Sequence, residues 1–489
     1  MNYKAMLRVH SWILFIEASF MVPALIISLV TKDRPAVTGF AAASVIAVAV
    51  GFLMRVLSKG GRTRFYAREG LVITGMAWIV LSLVGALPFY ISGRIPNYVD
   101  AFFEIVSGFT TTGASVLSDV EALGKGLLYW RSFSHWVGGM GVLVFFLAIV
   151  PASGKNDGYM LHILRAESPG PSVNKMVPRM RDTAAILYKM YLALTGLDII
   201  CLCIARMPVY DAFCIAFGTA GTGGFCVLNS GMANYTPAAQ YVTTVFMLLF
   251  GVNFGIYYLL VLRQFKTFFS DEELRLYFFI VALAILGIAV NIFGKTASTE
   301  GVEATFRHAS FQVASIITTT GYSTVDFDIW PGFSKAIRLV LMFVGASAGS
   351  TGGGIKVSRV LLLIRNLGRN IHQIFHPNEV RVVRMNRQKV PEQTLANVGG
   401  YLAAYVMIVI VSFLIVAADG VNASLTTDFS AVMATFNNIG PGFDSVGPAQ
   451  NFGLFSNFTK IILSMDMLLG RLEIFPILAI FAPGTYRKN

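Results

Sequence analysis

The stretch "ASIITTTGYST", residues 314–324, sets three threonines and a glycine side by side in a strongly apolar chain. The same core returns as "GFTTTGAS" at 108–115. Of the 489 residues, 55% are hydrophobic and 13% charged, and mean hydropathy is +0.66. A soluble chain of this length cannot bury that much apolar side chain. Uncharged runs such as "AASVIAVAVGFLM" and "YLAAYVMIVIVSFLIVAA" match the roughly 20 apolar residues that a membrane-crossing helix needs. Ten qualifying runs are centred near residues 20, 47, 80, 140, 193, 250, 285, 345, 408 and 468. The expected fold class is an all-α polytopic membrane protein with about ten transmembrane helices.

The formal net charge of +12 invites a nucleic-acid reading, but the positions of the charges argue otherwise. Arg55, Lys59, Arg62, Arg64 and Arg68 follow the second run, and Lys155, Arg165, Lys175, Arg179 and Arg181 the fourth. Arg263, Lys266 and Arg275 follow the sixth; Arg359, Arg365, Arg369, Arg381, Arg384, Arg387 and Lys389 follow the eighth. Arg487 and Lys488 end the chain. Every cluster follows an even-numbered run, which the positive-inside rule translates into two cytoplasmic termini. No nucleic acid is implied; membrane lipids with anionic headgroups are the partner this charge suits. The opening "MNYKAMLRVHSWILFIEASF" lacks a clear cleavage site and reads as a retained first helix. Cys201, Cys203, Cys214 and Cys226 lack zinc-type spacing.

Between the odd and even runs, from the third onward, lies a shorter segment: 99–112, 209–222, 305–320 and 427–439. Each holds a Phe-containing amphipathic stretch of about 12 residues, too short to cross a bilayer. Each ends in a polar stretch closed by glycine: Gly113, Gly223, Gly321 and Gly440. The unit recurs at intervals of roughly 100–120 residues, and repeats of this kind decide the architecture. The expected organisation is an N-terminal helix pair, 1–65, followed by four pore repeats: 66–160, 161–268, 269–375 and 376–489. Each repeat contributes a re-entrant pore helix, and the four are arranged pseudo-symmetrically around one central pore.

Polar, non-helical backbone at membrane depth is tolerated only inside protein or beside water. Four such strands around one axis can present rings of carbonyl oxygens that replace the water of a dehydrated cation. The candidate strands are Thr110-Thr111-Thr112-Gly113, Ala220-Gly221-Thr222-Gly223, Thr318-Thr319-Thr320-Gly321 and Asn437-Asn438-Ile439-Gly440. None carries an acid. The short helices would aim negative dipole ends at the pore and favour a cation.

With "GFTTTGAS", "GTAGTGGF", "TTTGYST" and "NNIGPGF" in these places, the chain resembles the Trk/Ktr/HKT superfamily of potassium transporters. The extra N-terminal pair resembles the bacterial TrkH/TrkG-type membrane subunit, and the resemblance covers the whole chain. It implies K⁺ as the transported ion, bound by backbone carbonyls of the sixteen residues above, with no organic cofactor. It also implies uptake across the bacterial inner membrane, a cytosolic TrkA-like nucleotide-binding regulatory ring and a homodimer. Asn437, Asn438, Ala220 and Gly221 depart from the threonine pattern. Each loop carries one filter glycine, so the expectation is real but imperfect K⁺ discrimination.

Two gate elements are expected. "GASAGSTGGGIK", 345–356, lies in a run of about 30 residues, longer than a bilayer requires. Gly349, Ser350, Thr351, Gly352, Gly353 and Gly354 would break the helix beneath the filter, with Lys356 at the far edge. The competing reading is close packing through small residues. Arg471, near the middle of the last run, is expected to be an electrostatic barrier below the filter, the role of the matching family position, or else to pair with Asp198 or Glu17. His372 and His376 are spaced i, i+4, but no third ligand is visible, so surface roles are expected. No G-x-x-x-x-G-K-[ST] stretch occurs, so nucleotide control would come from another chain. No catalytic constellation suggests an enzyme. The alternative transport reading is a cation symporter with alternating access, although such folds typically carry two, often inverted, repeats.

Overall fold

The computed structural model describes residues 2–60, 67–141, 180–295, 301–421 and 423–482. The first two helices, α1 (Tyr3–Val30) and α2 (Arg34–Leu57), pair with each other. The Asp33 carboxylate caps α2 by accepting from Ala36 N–H, and Pro35 suits the first turn of that helix. α1 also packs against α3 (Ala67–Gly85) and α6 (Lys125–Gly139). Val45, Phe52, Val290 and Met407 stand exposed on outer helix faces, the reverse of a soluble protein. That surface suits lipid, because the helix backbone already satisfies its own polar groups.

After α3 come α4 (Leu87–Ile91), the short helix α5 (Tyr98–Phe109) and α6. The second repeat supplies α7 (Met180–Ile204), the short α8 (Val209–Gly221), and α9 (Pro237–Phe250) with α10 (Phe254–Val261). After α11 (Phe265–Ser270), the third supplies α12 (Glu272–Ile292), the short α13 (Val302–Ile317), α14 (Gly332–Val344) and α15 (Val357–Phe375). A hairpin of β1 (Arg384–Met385) and β2 (Gln388–Lys389) follows. Its turn residues, Asn386 and Arg387, both have positive φ, as a tight hairpin demands. The fourth supplies α16 (Glu392–Ala417), the short α17 (Leu425–Phe436), α18 (Asn457–Arg471) and α19 (Phe475–Phe481).

The short helices interlock the repeats in order. α5 packs on α18, α8 on α6, α13 on α9 and α17 on α14. Each short helix thus rests on the second long helix of the repeat before it, and the series closes on itself.

The ten expected crossings are carried partly by continuous helices and partly by broken ones. Six described helices are long and apolar enough to span a membrane, and α9 with α10, bent by 93°, makes a seventh as a bent pair. Among the described residues, the second long helix is broken in the second, third and fourth of these units, and in the first it ends early. α6 ends at Gly139, near the expected centre of the fourth run, and residues 142–179 lie outside the described set. α9 stops before Gly251, α14 before Gly345, and α18 before Leu472. Hydropathy runs straight through these breaks because the residues there remain apolar or small.

Candidate functional site

All four short helices end in one hydrogen-bonding pattern. Thr112 N–H donates to Ser107 O (2.9 Å), Gly223 to Gly218 (2.8 Å), Thr320 to Ser315 (2.8 Å) and Ile439 to Ala434 (2.8 Å). The preceding residue donates one step further along each helix: Thr111 to Gly108, Thr222 to Thr219, Thr319 to Ile316 and Asn438 to Thr435. This is a Schellman ending, whose left-handed residue is usually glycine. Here it is Thr111, Thr222, Thr319 and Asn438, with φ of 56°, 58°, 58° and 55°. A β-branched residue resists that conformation, so Thr111, Thr222 and Thr319 are held there by their surroundings, whereas the asparagine of the fourth strand tolerates it.

Two positions later φ is again positive, at Gly113 (84°), Gly224 (75°), Gly321 (85°) and Gly440 (98°). This corrects the register of the second strand. Its counterpart of Gly113 is Gly224, not Gly223, and the strand is Gly221-Thr222-Gly223-Gly224. Ala220 falls inside α8, whose last residue is Gly221. In the other three strands the positive φ falls on Gly113, Gly321 and Gly440.

The glycines show how tightly the strands meet. A Cβ on Gly113 would lie 2.1 Å from Gly223 O; on Gly224, 2.1 Å from Thr320 O; on Gly321, 2.0 Å from Ile439 O. On Gly440 it would lie 2.8 Å from Thr112 O, which completes the circuit. Only glycine permits this approach at positive φ. Thr110, Thr112, Thr222, Thr318, Thr319, Thr320, Asn437, Asn438 and Ile439 are fully buried around it.

Side chains behind the strands hold them in place. Glu104, on α5, accepts from Ser115 Oγ (3.0 Å), Val116 N–H (3.0 Å) and Arg131 Nε (2.5 Å). Arg131, on α6, also donates to Cys226 O (3.2 Å) and lies 3.7 Å from the Phe225 ring centroid. This ion pair joins the segment after the first strand to the segment after the second. His135 Nε2 accepts from Phe225 N–H (3.2 Å), so Nδ1 carries the proton that it donates to Gly108 O (2.7 Å). Asn438 Nδ2 donates to Thr112 Oγ1 (3.0 Å) and Met467 O (2.9 Å), and Tyr405 donates to Asn437 Oδ1 (3.0 Å). Sequence reasoning missed Glu104, Arg131, His135 and Tyr405. Charged residues inside apolar helices were the available signal for Glu104 and Arg131. Beyond the fourth strand, hydroxyls of Ser424 and Thr427 hold the Asp444 carboxyl below its ordinary range.

The segment 345–356 is a non-helical loop, buried for most of its length, between Gly345 (φ 70°) and Lys356 (φ 81°). It lies directly against the strands. Gly353 N–H donates to Thr319 Oγ1 (2.6 Å), and a Cβ on Gly353 would lie 2.3 Å from Asn437 O. A Cβ on Gly352 would lie 2.8 Å from Thr318 O. The second repeat clasps the other side: Phe254 N–H donates to Gly349 O (3.0 Å) and Ser347 N–H to Gly251 O (3.0 Å). Ser350 folds onto Ser347 O (2.6 Å), and Gly354 packs on Gly345. Lys356 Nζ turns back onto Gly352 O. Glu273 Oε1, from α12, accepts from Ala348 N–H (2.7 Å) and Ser358 N–H (3.2 Å) and so grips both ends of the loop.

Arg471 ends α18 at the break in the last crossing. It donates to Thr351 O (2.7 Å), Gly138 O (2.5 Å), Gly139 O (2.7 Å) and Thr111 Oγ1 (3.0 Å). Its bonds to the first strand, the first interrupted helix and the loop replace the ion pair with Asp198 or Glu17 that was the alternative. Glu473 pairs with Arg359 instead, at 3.1 Å to Nη1.

Comparison with known proteins gives the family and the overall fold. The family model TrkH, described as a cation transport protein, matches residues 37–486. The chain is 36% identical to the Trk system potassium uptake protein TrkH of Salmonella typhimurium, covering all of both chains. It is 30% identical to the TrkG protein of Escherichia coli, covering all of this chain and 99% of that one. The crystal structure of the potassium transporter TrkH from Vibrio parahaemolyticus superposes with a TM-score of 0.88 at 32% identity, over the full length of both chains. By sequence across 37–486 and by fold across its whole length, this chain belongs to the TrkH family of cation transport proteins.

Proposed function

We propose that this chain takes up K⁺ through a gated pore formed within one polypeptide. The carrying observation is the closed circuit of glycine–carbonyl contacts from Gly113 through Gly224, Gly321 and Gly440 back to Thr112. Main-chain oxygens of the four strands serve as the K⁺ ligands, with Gly221–Gly224 as the second strand. The C-terminal ends of four short helices add their negative dipoles at the same place. The strands contain no acid, so discrimination rests on backbone geometry. The pore units are 66–160, 161–268, 269–375 and 376–489, with 1–65 as the added pair. The relatives' shared name, Trk system potassium uptake protein, supports the choice of ion.

Loop 345–356 and Arg471 act as the closure. The loop abuts Thr318 O and Asn437 O, and Arg471 brings a positive charge to Thr111. Both termini lie in the cytoplasm of a bacterium, with the protein in the inner membrane, as the basic loops suggest. A TrkA-like nucleotide-binding ring docks on the basic surface that includes Arg381, Arg384 and Arg387, and the subunit is a homodimer; both readings rest on the family resemblance.

Ion flux into proteoliposomes tests the proposal. K⁺ and Rb⁺ should pass faster than Na⁺ and Li⁺, and planar bilayers should show resolved unitary currents. Equal flux of all four ions would sink the filter assignment. Saturable flux with no unitary steps would favour alternating access.

A further inference from the structure

The helix that leaves the closure loop, α15, brings three metal-ligating groups together at its far end. His372 and His376 lie one turn apart, with ring centroids 4.5 Å apart and planes inclined by 17°. His376 caps the helix, donating its N–H to His372 O (2.9 Å). The chain then folds back, and Glu379 N–H donates to His376 O (3.1 Å). That turn delivers the Glu379 carboxylate to the imidazoles, with Oε2 2.9 Å from His372 Nε2. One ligand atom from each of the three residues lies within 4.8 Å of the others. The third ligand absent from the sequence pattern is therefore supplied by the fold.

We propose that His372, His376 and Glu379 form a binding site for a divalent transition-metal ion of the Zn²⁺ class. Two imidazoles and one carboxylate suit such an ion, and the fourth position is left for water. Mg²⁺ and Ca²⁺ prefer oxygen ligands in larger number, which this site does not offer. Ligand bonds of about 2.0–2.2 Å require the three groups to draw slightly closer. They can, because His372 is 29% exposed and Glu379 55% exposed, and only their mutual hydrogen bond must yield. Neighbouring Arg369 is already paired with Glu392 (2.7 Å), while Arg381 opposes a second cation and sets a limit on affinity. Ligation would tie the end of α15 to the connection leading into the hairpin. That hairpin is fastened to α12 through Asn386, which bonds Asp271 (2.7 Å) and Glu272 N–H (2.9 Å).

Full-length protein, purified in detergent, freed of any affinity tag and stripped with chelator, is titrated with Zn²⁺ against a chromophoric competitor. One ion per chain is expected. Affinity should fall at least as much as the roughly 10–100-fold seen on losing an outer-shell partner in each of His372→Gln, His376→Gln and Glu379→Gln. Co²⁺ should give intense visible absorption in the parent and lose it in the triple variant. These side chains are at the surface, and matching elution in size-exclusion chromatography shows that the variants are folded. No ion bound by the parent, or the same binding by parent and triple variant, would overturn the proposal.

Discussion

Asn438 donates to the Thr112 hydroxyl at 3.0 Å, joining residues 326 positions apart. This bond lies at the seam where the fourth strand meets the first. The same amide also bonds Met467 O, so it fixes the seam to α18. Asn438→Ala leaves two buried groups without their donor, at a cost of about 1–3 kcal/mol each. The expected result is a lower unfolding midpoint and a reduced K⁺/Na⁺ flux ratio. A ratio equal to the parent's would show that the seam does not shape selectivity.

Arg471 holds the loop through Thr351 O and holds the first interrupted helix through Gly138 and Gly139. Arg471→Ala removes these bonds and a positive charge in a site of low dielectric, where charge acts strongly. K⁺ flux into liposomes should rise, and deletion within 349–354 should raise it too. Arg471→Lys should fall between, because an ammonium lacks the planar fork that reaches several carbonyls. If neither Arg471→Ala nor the deletion conducts more than the parent, the closure is elsewhere.

Glu273 secures the loop at Ala348 and Ser358 with a single carboxylate oxygen. Glu273→Ala strands both N–H groups and should raise K⁺ flux while leaving the ion preference intact. Glu273→Gln retains an acceptor and should behave closer to the parent. A changed K⁺/Rb⁺/Na⁺ order in Glu273→Ala would mean that the carboxylate shapes the strands themselves.

Arg131 and Glu104 form a buried pair with side chains 3% and 0% exposed. Removing one partner strands a buried charge, typically at a cost of about 3–5 kcal/mol. Arg131→Met should therefore lower the midpoint of thermal unfolding in detergent sharply. The double variant Arg131→Met/Glu104→Gln should recover part of that loss, since no bare carboxylate remains. A double variant no better than the single would assign the loss to the contact with Phe225 and Cys226.

Much was legible in the chain because it was written in local pattern. Apolar runs marked the membrane helices, since every stretch of bilayer-facing helix must be apolar on its own. Four short segments ending at glycine marked four short helices with a shared ending, and the glycines of 349–354 marked a loop where helix would be costly. Local pattern stopped short of the register in "GTAGTGGF", where two adjacent glycines compete. The choice of Gly224 is made by the helix-end bonds of α8 and by the Thr320 carbonyl of another repeat. The interruptions at Gly139, Gly251 and Leu472 were equally silent, because hydropathy averages over a break. Tertiary structure alone decided the partners of Arg471, Glu273 and Glu104, and the arrival of Glu379 beside two histidines. Periodicity reports what a residue's neighbours along the chain require of it; hydrogen bonds across hundreds of positions exist only once four repeats have closed on one another.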